Sequence, residues 1–168
     1  MAGPKSKSKP NKTKLVPGTK APVAIFPHFH GKVLGALHGS INPAPSFVRA
    51  KQNPTDDYST FIMGSFTCEN NKCMQRGWGS KKICIVIRQF PGNGYNAQVF
   101  NQECKTCGEL GKMQINVNAY VERVAFRLKK WAGVAVDAPP HTKRLDRPPH
   151  RSDLCEGCKR GYCQEYED

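Results

Sequence analysis

The spacing of apolar residues changes character along the chain. Phe61-Ile62-Met63-Gly64-Ser65-Phe66 reads as a strand that ends at Cys68. Lys82-Ile83-Cys84-Ile85-Val86-Ile87-Arg88 gives the clearest strand pattern, because β-branched residues fit a pleated surface. Its nearly unbroken apolar run suits a strand covered on both faces. Asn93-Gly94 offers the φ > 0 positions of a tight hairpin turn, and Tyr95 to Glu103 forms the return strand. Together these segments predict a three-stranded antiparallel meander. After Cys107 the period becomes three and four. Val117, Tyr120, Val121, Val124, Ala125, Leu128 and Trp131 make one apolar stripe, with Glu122, Arg123, Arg127, Lys129 and Lys130 on the other side. Asn116 or Asn118 can cap this helix and Gly133 can end it. The stripe is expected to pack on the sheet.

Upstream the order weakens. Residues 21–58 carry Val23, Ile25, Phe26, Val33, Leu34 and Leu37, but Pro22, Pro27, Gly31, Gly35 and Gly39 interrupt them. An irregular extension with a short helix around 31–38 is expected. His28, His30 and His38 have no cysteine nearby and read as surface or packing histidines. Residues 1–20 hold six Lys and no acid, and read as a disordered basic tail. Pro139-Pro140 and Pro148-Pro149 mark 134–151 as an irregular connector. The expected layout is thus a tail (1–20), an extension (21–58) and one domain (59–168).

Composition sharpens this picture. The 168 residues are 38% hydrophobic, with 13 Pro, 15 Gly and a formal net charge of +13. Barrel and doubly wound enzyme folds need a longer chain. No apolar run approaches the ~18 residues of a membrane span. The first 20 residues lack the apolar core of a secretory signal. A reducing compartment, cytoplasm or nucleus, is therefore expected, and the Asn11-Lys12-Thr13 sequon should stay idle. In such a compartment eight cysteines read as metal ligands before disulfides.

Those cysteines stand as Cys68-x4-Cys73, Cys84 alone, Cys104-x2-Cys107 and Cys155-x2-Cys158-x4-Cys163, with His150 just upstream. A short loop between two thiolates presents both to one ion at small backbone cost. Tetrahedral zinc takes four such ligands. Seven cysteines and His150 therefore supply two closed zinc sites. The meander brings the third strand back to the end of the sheet that holds Cys68 and Cys73. Cys68, Cys73, Cys104 and Cys107 can then close one site, as in a zinc ribbon, and His150, Cys155, Cys158 and Cys163 a second. An interleaved pairing stays open. Cys84 reads as a small buried hydrophobe; as a ligand it would release His150. Four protein ligands leave no open position for catalytic water.

The run from Cys68 through Cys73-Met74-Gln75-Arg76-Gly77-Trp78 is followed by Phe100-Asn101-Gln102-Glu103-Cys104-Lys105-Thr106-Cys107 and by the Tyr120–Trp131 helix. Pro149-His150 and Cys155-Glu156-Gly157-Cys158-Lys159-Arg160-Gly161-Tyr162-Cys163 close the pattern. This arrangement resembles the 3CxxC-type zinc-finger family, which includes uncharacterised fungal proteins. It is similar to the zinc-finger domains of receptor-transporting and zygote arrest proteins. The resemblance spans about residues 60–163. It implies a zinc-binding domain, with the three Cys pairs, His150 and Cys163 as ligands. It also permits RNA binding, which zygote arrest proteins perform through this domain. The first pair departs from the family in being C-x4-C rather than C-x2-C.

The expected fold is α+β: a small antiparallel meander, zinc-ribbon-like, packed against one amphipathic helix and stabilised by two zinc ions. For function, residues 59–132 hold eleven Lys and Arg against four acids. Basic side chains meet phosphates, and aromatic faces stack on unpaired bases. Trp78, Phe90 and Tyr95 beside Arg76, Lys81, Lys82 and Arg88 are the candidate RNA-binding residues. For Trp78 the alternative is packing over a zinc knuckle. A zinc-stabilised protein-interaction adaptor, or an escort like the receptor-transporting proteins, is the other functional reading. No enzyme and no small-molecule substrate is expected. No P-loop, dinucleotide fingerprint or deaminase pattern occurs, and Gly108-Glu109-Leu110-Gly111-Lys112 is followed by Met113 where a P-loop needs Ser or Thr.

Overall fold

The computed structural model of the chain describes residues 20–49, 52–137 and 150–163. The basic tail before Lys20 with its sequon, the prolines of the connector at 139–140 and 148–149, and the acidic end from Gln164 lie outside the described residues.

The strands are β1 (Val23–Ile25), β2 (Ser46–Phe47), β3 (Asp56–Thr67), β4 (Gly77–Phe90), β5 (Gly94–Phe100) and β6 (Lys112–Ile115). Helices are α1 (His30–Leu37), α2 (Val117–Trp131) and the one-turn α3 (Glu156–Lys159). One half-barrel sheet runs β1-β5-β4-β3-β6, and β2 lies parallel against the start of β5. The predicted meander is its centre: β3, β4 and β5 pair antiparallel. Both outer strands are additions that the hydrophobic pattern did not reveal, because β1 and β6 are only three and four residues long.

Alternation along β4 divides the molecule. Ile83, Ile85 and Ile87 point to one face with Tyr95, Ala97 and Val99 of β5. There they meet Val33 and Leu37 of α1, and Tyr120, Val124 and Leu128 of α2, in the main core. Cys84 and Val86 point to the opposite face, where Phe100 and Cys155 pack on them. The strand is covered on both faces, which is why its apolar run has no polar alternation.

A bulge extends β4 beyond the predicted strand. Ile62 pairs with Ile83 and Gly64 with Ser80, so Met63 faces two residues, Lys81 and Lys82. The extra residue shifts the parity of β4. Trp78 thereby reaches the same core as Ile83 and stacks on Phe66, with ring centroids 5.0 Å apart.

Residues 21–49 hold the short helix expected around 31–38, as α1, and are otherwise more ordered than the expected irregular extension. β1 is an edge strand on β5, and α1 begins after a 3-10 turn at Pro27–Phe29. Phe26 and Phe29 stack and lie edge-on to Tyr120. The glycines interrupt the apolar pattern without interrupting the helix: Gly31 and Gly35 face open space, and buried Val33 and Leu37 hold the other face to the core. The main core therefore also takes in Phe26, Phe29, Val33 and Leu37 of this segment.

The hairpin turn also sits one residue early. The left-handed residues are Gly92 and Asn93, with φ of 81° and 60°. Gly94 is a strand residue, and a Cβ there would lie 2.4 Å from the Val48 side chain. Its glycine serves close packing, not turn conformation. At α2, Asn116 is the cap: its side chain accepts from the Ala119 amide at 3.0 Å. Gly133, at φ 74°, follows the last turn.

Because α1 shares the core, Leu37→Ala should cost about 2–5 kcal/mol, as for other buried leucines. Urea unfolding of the zinc-loaded protein measures this. An unchanged midpoint would make residues 21–49 an appendage.

Candidate metal centres

Two clusters of metal-ligating side chains form, and both grow from the same end of β5. Cys68 follows β3, and its amide donates to the Arg76 carbonyl, closing the loop that carries Cys73. β5 runs back to that end, as the meander requires, and delivers Cys104 and Cys107. The Gly108 amide donates to the Cys104 carbonyl at 2.8 Å with Gly108 at φ 75°, a tight loop that turns both thiols inward. The Sγ atoms of Cys68 and Cys107 lie 3.6 Å apart, those of Cys73 and Cys104 3.9 Å.

The second cluster joins His150, Cys155, Cys158 and Cys163. Cys155 caps α3, and Cys158 sits on the first turn that follows. Cys155 and Cys163 bring their sulfurs to 3.7 Å, and His150 Nε2 lies 3.1 Å from Cys158 Sγ. Pairing is thus sequential along the chain and not interleaved.

A zinc ion with Zn–S bonds of ~2.3 Å separates its tetrahedral sulfurs by about 3.8 Å. Within each cluster the four ligand atoms lie within 4.8 Å of one another. The fit is that of two four-coordinate zinc ions. A disulfide would need ~2.0 Å between sulfurs, and all eight cysteines are free. The C-x4-C spacing of the first pair is accommodated by the Asn70 turn, whose carbonyl accepts from the Cys73 amide.

The thiols' acidities have the same cause. Next to the Cys163 thiol, and buried, Cys155 is pushed up to about 12. At Cys104 burial opposes the thiolate, but backbone hydrogen bonds from Cys107 and Thr106 outweigh it and bring the thiol down to about 7. Crowded sulfurs cannot all ionise without a cation among them, and zinc binding requires that they do. When bound, the ion supplies that charge and closes each loop; with four protein ligands, its part is structural.

Two residues that the motif reading missed hold the centres in place. Asn101 is fully buried between the end of β5 and Cys104. Its Nδ2 donates to the Ala21 and Gly111 carbonyls, and its own carbonyl accepts from the Glu156 amide. Glu103 donates its amide to the Leu154 carbonyl. The 101–104 stretch therefore carries one centre and anchors the other. A polar residue directly after an apolar strand was the available signal. Gly157 is the second. A Cβ on it would lie 2.7 Å from Cys84 Cβ and 3.1 Å from Cys163 Sγ. Cys84 is outside both clusters, buried under this glycine, as expected for a small hydrophobe.

The candidate RNA-binding residues divide. Arg76 and Lys81 are exposed, and Lys82 and Arg88 half-buried. Tyr95 is 1% exposed, and its hydroxyl is 2.7 Å from His30 Nδ1. It faces the core, so it offers no ring to a base; burial also raises its pKa. Phe90 is buried as well. Trp78 has one ring face on Phe66, and its Nε1 donates to Gln102 Oε1 at 3.3 Å, so it packs beside the first zinc centre.

Elemental analysis should find two zinc ions per chain. Cys158→Ser should leave one. Gly157→Ala should overpack the second cluster by about 1–3 kcal/mol and release its ion first on titration with a chelator. Equal retention by Gly157→Ala and the parent would refute the contact with Cys84.

Among the described residues no helix is long and apolar enough to cross a membrane. No curated protein matches the chain, and no solved structure does. One family, described as a zinc-binding domain of the 3CxxC zinc-ribbon type, matches residues 61–161, from β3 to the loop before Cys163. Those residues hold seven of the eight ligands, all but Cys163, in the order just described, and the chain belongs to the 3CxxC zinc-ribbon family of zinc-binding domains.

Proposed function

We propose that this zinc-binding protein binds single-stranded RNA through a basic surface on the sheet. The observation that carries this reading is the β4 bulge. It seats Lys81 and Lys82 side by side opposite Met63, which is 47% exposed. The Lys82 ammonium lies 5.9 Å from the centre of the half-buried Phe61 ring. Arg76 is exposed at the start of the same strand's approach. Two adjacent cations with apolar and aromatic surface beside them suit phosphate contact together with base stacking. The chain's net charge of +13 adds a long-range attraction for a polyanion. Zinc's part in this reading is to hold the strand ends rigid, so that the cations need no ordering on binding.

Fluorescence anisotropy with a labelled 20-nucleotide single-stranded RNA tests it. If about five phosphates are contacted, affinity should fall ~100-fold between 50 and 200 mM salt. The double variant Lys81→Ala/Lys82→Ala should bind more weakly and lower the salt slope by about 1–2. Absence of binding at 50 mM salt would refute the proposal. Binding that ignores salt would refute phosphate contact by Lys81 and Lys82 as its basis.

A further inference from the structure

The second face of the sheet is only half covered. The segment 150–163 lies over Cys84, Val86 and Phe100. Beyond it, three neighbouring strands place one polar residue each in a single row. Asp57 on β3 pairs with Arg88 on β4, and Arg88 pairs with Asn96 on β5. Gln98 lies in the next row. These residues floor a cleft of about 360 Å³, with Ile25, Arg49 and Tyr162 among its walls.

Three features of this cleft are unusual for solvated surface. Asn96 is 6% exposed, and its Nδ2 donates to the Val48 carbonyl at 3.1 Å, which fixes the amide's orientation. Its Oδ1 is buried and has no hydrogen-bond partner among the described residues. Buried acceptors are rarely left so, and this one calls for a donor from outside the chain. The Arg88 guanidinium is held in place by neutral oxygens: Nη1 donates to Gln98 Oε1 at 2.5 Å and Nη2 to the Tyr162 hydroxyl at 3.2 Å. It also lies over the Tyr162 ring, 5.5 Å from its centre. A planar cation fixed at two corners is a ready stacking platform for a base. On either side of it stand acceptors, the Asp57 carboxylate and the Asn96 Oδ1.

We propose that this cleft takes one unpaired base of a bound RNA, stacked on Arg88, and prefers bases that carry an exocyclic amino group. The amino N–H groups of adenine, guanine or cytosine donate to Asn96 Oδ1 and to Asp57. Uracil presents a single N–H and two carbonyl oxygens, which meet acceptors here. Arg49, exposed at the rim, is placed for the adjoining phosphate. This assignment rests on the RNA-binding reading and deepens it. It uses residues on a different part of the sheet from the Lys81-Lys82 bulge.

The test compares 20-mers of A, C and U, and an abasic ribose-phosphate chain of the same length, at one salt concentration. The zinc-loaded parent should bind A and C about tenfold more tightly than U or the abasic chain. Arg88→Gln should remove that preference, so that all four chains bind alike, and Asp57→Asn should narrow it. Both variants are checked for two zinc ions and an unchanged melting temperature. Should Arg88→Gln fail to fold, the parent alone decides. Millimolar adenosine monophosphate should shift the Asn96 and Gln98 side-chain amide NMR signals, and ribose 5-phosphate should not. Tight RNA binding with equal affinity for all four chains, or amide shifts with ribose phosphate alone, would overturn the cleft assignment and leave general RNA binding standing. Failure of every chain to bind would overturn both.

Discussion

Two groups of ligand atoms packed to within 4.8 Å are the constraint on which this structure turns. Thiols at that spacing repel when ionised and waste their polarity when not. A divalent cation resolves the conflict, with apparent binding free energies of about 10–16 kcal/mol for a structural zinc. A small chain needs such help. Only 38% of it is hydrophobic, and the loops at 68–77 and 101–111 contribute little apolar surface of their own. Without ions these loops would have no reason to hold the strand ends, and β6, four residues long, would have no reason to return to β3.

The centres are not independent. The backbone from Asn101 to Cys104 is shared: Gln102 bridges to Cys155, Glu103 takes hold of Leu154, and the next residue is a ligand of the other ion. Lys159 of α3 also pairs with the Glu103 carboxylate. A disturbance in either cluster therefore reaches the other through two peptide units. The Cys84–Gly157 contact adds a third path, since it seats α3 directly on the central strand. Zinc, hydrogen bonds and van der Waals packing thus converge on one corner of the sheet.

Much of this was legible in the sequence because it was local. The 3.6-residue stripe of α2, the β-branched run of β4 and the loop spacing of the cysteines each need only neighbouring residues to be read. Pairing of the clusters followed from one topological step, the return of β5 to the end where β3 stops. What stayed hidden depended on partners distant in the chain. Apart from the helix expected around 31–38, residues 21–49 looked irregular since their glycines and prolines carry no period, yet Phe26 and Phe29 gain their order from Tyr120, about ninety residues on. Tyr95 looked like an available ring beside a turn, and only the position of His30 and α1 reveals that it points inward. The bulge at Lys81-Lys82 is likewise a property of two strands and not of one.

The same alternation that builds the core also sets where function can reside. On the helix side, every position from Ile83 to Ile87 that points inward is sealed under α1 and α2. On the other side the zinc-bearing segment covers the apolar positions Cys84, Val86 and Phe100 and stops where the side chains become polar. Extending that cover over Arg88, Asn96 and Gln98 would bury a guanidinium and two amides, which costs free energy unless each is matched. The lid ends at Tyr162, whose hydroxyl meets Arg88 and whose ring rests on Phe100. One residue thus closes the apolar half and borders the polar one. A chain of this size can spare little surface for stability alone. Leaving a fixed arginine and an unsatisfied amide beside a covered core is the arrangement expected of a face retained for recognition.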